Sequence, residues 1–346
     1  ESDRESDEII LMKLLELATM TFRSDASDLL TVGAAWDMYE TCLSIFAQTR
    51  SSKVLRSEAE STLRHLTLTM FCRIQTTLQR SSAQPNGDYQ SPSALSQQVK
   101  NAFWDTAKDN YAVSDPVGLV LFLVKILSTL SSRLDAKVQS TASVQLSLSL
   151  VNVALEAGGT SLGQIAPIVE LLRGDICRFL LVATQSDDLV VFNLSLRVVF
   201  NLFVSIKDHM KVQLEVFQQS KVQQHLSVAS NAPSGISVTS SGSASEKMLA
   251  LWTAREEMIL ESLLEFANEP LVLQDLYINY DCDVKCTNLY DTIIDVLCVK
   301  SLPHKLRGVQ LLDDIIDEGE CLFCSGLFWP GLIWVILHSV CVDSTV

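Results

Sequence analysis

Several groups of residues have the types and spacing that chemistry would require. Gly158 and Gly163, in GGTSLGQI, are spaced like the glycines of a phosphate-cradling loop. Gln164 and Ile165, however, stand where a Lys and a Ser or Thr must reach phosphate and magnesium. The glycines therefore read as a turn between helices. Cys282, Cys286, Cys321 and Cys324 could be imagined as a zinc set. The gap between the two pairs is longer than in the common zinc ribbons, and the second pair sits in an uncharged apolar run, which favours buried hydrophobic cysteine. The histidines, at 65, 209, 225, 304 and 338, show no ligand spacing with one another. Asp313, Asp314, Asp317, Glu318 and Glu320 read as a solvated helix face. No His-Glu-x-x-His pair occurs. No cofactor, metal or catalytic residue is expected.

One stretch differs, LVLQDLYINYDCDVKCTNLYDTIIDVL over 271–297. At its heart Asn279, Tyr280, Asp281, Cys282 and Asp283 lie between two apolar segments. Short side chains such as Asn and Asp bond backbone groups of a turn and so fix the angle between helices. The same residues could instead contact a partner, and physical chemistry alone leaves both roles open. Asn288, with Asp291 three residues on, suits the start of the following helix.

The elements that must position this box are helical. Ile9, Met12, Leu15 and Met20 are expected on one side of a first helix, and Trp36, Tyr39, Leu43 and Phe46 on one side of a second. Leu55, Ala59, Leu63, Leu66, Met70 and Ile74 recur at three and four along a third. SSAQPNGDYQSPSALSQQ, 81–98, has loop composition. LVLFLVKILSTL, VQLSLSLVNVAL and LVVFNLSLRVVFNLFVSI then raise the apolar density. VQLSLSLV alternates like a strand, but these runs are longer than strands usually are, and Phe192, Leu196, Val199 and Phe203 keep a helical face. Buried helices are expected. The fold class is all-α, an irregular armadillo/HEAT-like helical solenoid. Residues 227–247 are Ser-rich and nearly uncharged, the composition of a disordered insertion.

Composition narrows the partners. Lys and Arg total 26 against 41 for Asp and Glu, a net charge of -15, so nucleic acid is not an expected partner and broad adhesion to anionic lipid is disfavoured. The 9 cysteines, an odd number spread through apolar patterns, suit a reducing cytoplasm. No signal peptide is visible after the acidic opening ESDRESDE, and the lack of an initiator Met reads as a fragment of something longer. The tail over 321–342 has the length and apolarity to cross a bilayer, yet Pro330-Gly331 interrupts it and acidic residues precede it. An aberrant end that packs on the solenoid or aggregates is favoured over insertion.

LYINYDCD followed by CTNLY closely resembles the signature box of the large Arf guanine-nucleotide exchange factors, in the region termed homology upstream of the catalytic domain. DEIILMKLL at 7–15 and LRSEAESTL at 55–63 resemble the later part of the dimerisation and cyclophilin-binding domain of the Golgi brefeldin-resistance branch, which includes Gea and GNOM proteins. HMKVQLEVF at 209–217 and the stretch 148–156 resemble its upstream homology domain. The resemblance implies a partial dimerisation and cyclophilin-binding domain over 1–80, a linker over 81–114, an upstream homology domain over 115–300 and a divergent tail over 301–346. It further implies a non-catalytic regulatory platform in Golgi vesicle transport. Implied partners are the exchange domain of the full-length protein, Golgi small GTPases and adaptors, a second copy in a homodimer, and the Golgi membrane through peripheral association. The rival readings are an unrelated armadillo-like adaptor and a tail-anchored membrane protein.

Overall fold

The computed structural model describes residues 2–83, 92–105, 107–135 and 139–210, together with separate positions between 213 and 290. By contact the chain divides into Glu1–Met210 and Lys211–Val346. The first unit comprises α1 (Ser2–Arg23), α2 (Val32–Ala47), α3 (Lys53–Ala83), α4 (Pro92–Phe103), α5 (Pro116–Arg133), α6 (Thr141–Gly158), α7 (Ala166–Leu171), α8 (Cys177–Ala183) and α9 (Leu189–Ile206). A π-turn, Leu172–Ile176, joins α7 to α8. Among the described residues there is no strand, and the one β-bridge pairs Thr31 with Ala112.

The helices start where local chemistry supplies acceptors for their free N–H groups. Thr31 Oγ1 accepts from the Ala34 N–H at 3.2 Å and Ser140 Oγ from the Ser143 N–H at 3.3 Å. Asp188 Oδ1 accepts from both the Val190 and Val191 N–H groups at 2.9 Å. Asp115 caps α5 ahead of Pro116, whose missing N–H costs nothing in a first turn. α6 ends at Gly159, whose φ of +50° suits glycine.

The three apolar runs are the buried helices α5, α6 and α9, and VQLSLSLV, which alternates like a strand, lies in α6. Their serines need no sheet partner, because a hydroxyl in a helix can bond the carbonyl of the preceding turn. Ser147 donates to the Ser143 carbonyl at 2.8 Å and Ser195 to that of Phe192 at 2.6 Å. α3, α6 and α9 pack in succession, and α2 and α5 lie beside them. α8 packs on α9, and α5 also meets α4 and α7. Helix pairs stacked in two layers in this way form the all-α, solenoid-like arrangement that the periodicity predicts. Leu55, Ala59, Leu63, Leu66, Met70 and Ile74 on α3 are all buried, as are Phe192, Leu196, Val199 and Phe203 on α9.

Two expectations are corrected. On α1 the buried face is Leu15, Ala18 and Phe22, while Ile9 is 56% and Met20 62% exposed. Steps of three residues turn 300° around a helix, so a row such as 9, 12, 15 drifts off any one face. The second correction is α4, which begins within the stretch of loop composition, 81–98, and runs on to Phe103 inside the expected linker. Pro92 opens it, and Leu95, Val99 and Ala102 recur at the spacing of one buried face beneath a loop-like Ser and Gln composition. Residues 1–80 and 115–210 share one core, since α3 packs directly on α6.

α5 and the stretch Leu189–His209 are long and apolar enough to cross a membrane. Most of each is covered by neighbouring helices. The apolar run 321–342, the Ser-rich run 227–247 and the acidic cluster 313–320 lie outside the described residues.

Candidate interaction site

Asn279, Tyr280 and Asp281 of the box fall in a π-turn, Tyr277–Asp281, closed by the Cys282 N–H, which donates to the Tyr277 carbonyl at 3.0 Å. A five-residue hydrogen-bond span fits one more residue into the turn than an α-helix does, and such insertions recur where a helix must redirect its side chains. Cys282 ends the turn, exposed and reduced. Asp283 and Asp291 lie outside the described residues.

Asp281 reaches across the corner. Its Oδ2 accepts a hydrogen bond from the Tyr290 backbone N–H at 3.0 Å, nine residues on. A carboxylate bonded to an amide N–H makes a stronger bond than two neutral groups would. The Tyr277 and Tyr290 rings meet edge to face with centroids 5.8 Å apart. One end of the turn is therefore tied to the following segment by a charged hydrogen bond and an aromatic contact. Ile278, half exposed, and Cys282 face solvent. Asn288, the expected cap, is exposed, and the acceptor for the N–H two residues beyond it comes from Asp281. Tyr277 and Tyr290 escaped the reading of the box residues, although both lie within the motif that carries the resemblance. Their spacing of thirteen residues crosses a turn, so no helical or strand period connects them.

A second polar constellation, absent from the sequence reading, joins α6 to α9. Asn201 Nδ2 donates to Asn152 Oδ1 at 2.6 Å and to Glu156 Oε1 at 3.2 Å. Asn152 Nδ2 donates to the same Glu156 oxygen at 2.8 Å, and Arg197 lies 3.6 Å from it. Asn152 is buried, so these bonds replace the water that it gives up. A further tie holds the corner after α1: Arg73 donates to the Phe22 carbonyl at 3.2 Å and to Ser27 Oγ, and lies 3.5 Å from Asp28.

Nothing in these arrangements pairs a nucleophile with a base. Gly158 and Gly159 make the turn between α6 and α7, and the Gly163 carbonyl lies 3.0 Å from His209 Nε2. Among the described residues no group of three or more His, Cys, Asp or Glu side chains could hold a metal ion. Cys286, Cys321 and Cys324 lie outside them. Burial pushes the Cys42 thiol up to about 11 and the Cys177 thiol up to about 12, so both are small hydrophobes and poor nucleophiles.

Residues 112–289 match the Sec7-like HUS family, described as Mon2/Sec7/BIG1-like, HUS domain. The match covers just over half of the chain and includes the box. The Golgi-specific brefeldin A-resistance guanine nucleotide exchange factor 1 homolog of Caenorhabditis elegans is 30% identical over 184 residues, which is 52% of this chain and 8% of that protein. ARF guanine-nucleotide exchange factor GNL2 of Arabidopsis thaliana is 21% identical over 318 residues, covering 90% of this chain and 21% of that protein. GNOM from the same plant is 21% identical over 357 residues, with 87% of this chain and 23% of its own length covered. The chain thus spans between 8% and 23% of the length of these curated relatives. A family match over more than half of the chain, with the box inside it, leads to one conclusion: the chain belongs to the Mon2/Sec7/BIG1-like HUS-domain family.

Proposed function

We propose that this chain is a non-catalytic regulatory and protein-interaction platform of an Arf guanine-nucleotide exchange factor acting in Golgi vesicle-mediated transport. The observation that carries this reading is the HUS-domain family match over 112–289, which includes the box. Residues 1–80 contribute the later part of a dimerisation and cyclophilin-binding domain. Residues 115–300 form the upstream homology domain. The platform docks Golgi small GTPases and adaptors, contacts the exchange domain of the full-length protein and sets its activity. It works in the cytoplasm, peripherally at Golgi membranes, as the names of its relatives suggest. The exposed turn carrying Ile278 and Cys282 supports a docking role for the box, with Asp281 holding it in shape.

A fluorescent-nucleotide release assay with an Arf protein tests the non-catalytic part. The chain alone leaves release at its intrinsic rate, and acceleration by the chain would overturn the reading. The regulatory part is tested by adding the chain in trans to an exchange domain of the same protein. A changed exchange rate is expected, and an unchanged one counts against control of that domain.

Self-association is a second reading, and α1 favours it. Ile10, Leu14 and Leu17 form an exposed apolar stripe, with Ile10 and Leu17 placed almost symmetrically about Leu14. Two copies of α1 packed antiparallel would set Ile10 of one copy against Leu17 of the other, a self-complementary contact of the kind a two-fold axis requires. Light scattering on the purified chain should give a dimer that L14E converts to monomer. A monomeric wild-type chain at micromolar concentration would remove this reading.

A further inference from the structure

We draw no further inference here: the strongest candidate, the Phe103–Trp104 corner beyond α4, where Trp104 is 86% exposed beside a Phe103 ring with Lys108 over its face, carries nothing because nothing in the structure shows what covers it.

Discussion

Removing the Asp281 carboxylate should loosen the box corner by a measurable and bounded amount. In the structure Oδ2 accepts the Tyr290 N–H at 3.0 Å, an ordinary length for an N–H donor. A hydrogen bond to a charged group contributes about 1.5–3 kcal/mol net, and a neutral one about 0.5–1.5 kcal/mol. Asp281 is only partly buried, so water reaches the orphaned amide and the loss for D281A falls to about 1–2 kcal/mol. D281N keeps an oxygen acceptor without the charge and should lose less, about 1 kcal/mol. At about 2.1 cal/mol/K of unfolding entropy per residue, a 346-residue chain shifts by about 1.4 °C per kcal/mol, so D281A should melt about 1–3 °C below wild type. Circular dichroism melts supply the global number. Hydrogen exchange at the Tyr290 amide supplies the local one, and it should quicken in D281A more than in D281N. If D281A melts with wild type and the Tyr290 amide stays protected while a partner is lost in pull-down, Asp281 is a recognition group. The account of the corner would then be wrong.

Other expectations follow from the same contacts. The edge-to-face pair of Tyr277 and Tyr290 should give a coupling of about 0.5–1.5 kcal/mol in a Y277L/Y290L double-mutant cycle read by urea unfolding, and zero coupling would dismiss the ring contact. N152A should destabilise by about 1–3 kcal/mol, because it removes a buried amide bonded to both Asn201 and Glu156; a variant within error of wild type in urea would show that the α6–α9 tie contributes nothing. The raised Cys42 and Cys177 thiols stay protonated in the folded chain after their unfolded counterparts ionise. Their contribution is therefore complete below the unfolded thiol range and falls as pH rises through about 9 toward 11, by up to about 1.4 kcal/mol per pH unit for each thiol. A C42A/C177A variant should lose less stability between pH 8 and pH 10.5 than wild type does, and an equal loss in the two would refute the assignment.

Most of the helices and the buried rows of α3 and α9 were legible in the amino-acid order, because each depends on neighbours within one or two turns. The α3 and α9 core rows repeat at three and four, and the structure buries both. The box was legible too, as a short polar sequence between apolar segments, and its residue order carried the family resemblance. What the sequence could not show are the contacts between residues far apart along the chain. Which stripe of α1 is covered depends on α3, which buries Leu15, Ala18 and Phe22 and leaves Ile10, Leu14 and Leu17 in water. α4 was hidden because three apolar positions are a weak signal within a Ser- and Gln-rich run until α5 and α7 cover them. The Asp281–Tyr290 bond spans nine residues and the Asn152–Asn201 bond forty-nine, separations at which periodicity carries no information. A local pattern determines which residues a helix can present, and packing alone decides which of them meet a partner, since burial and hydrogen bonding between distant segments exist only once the helices are stacked.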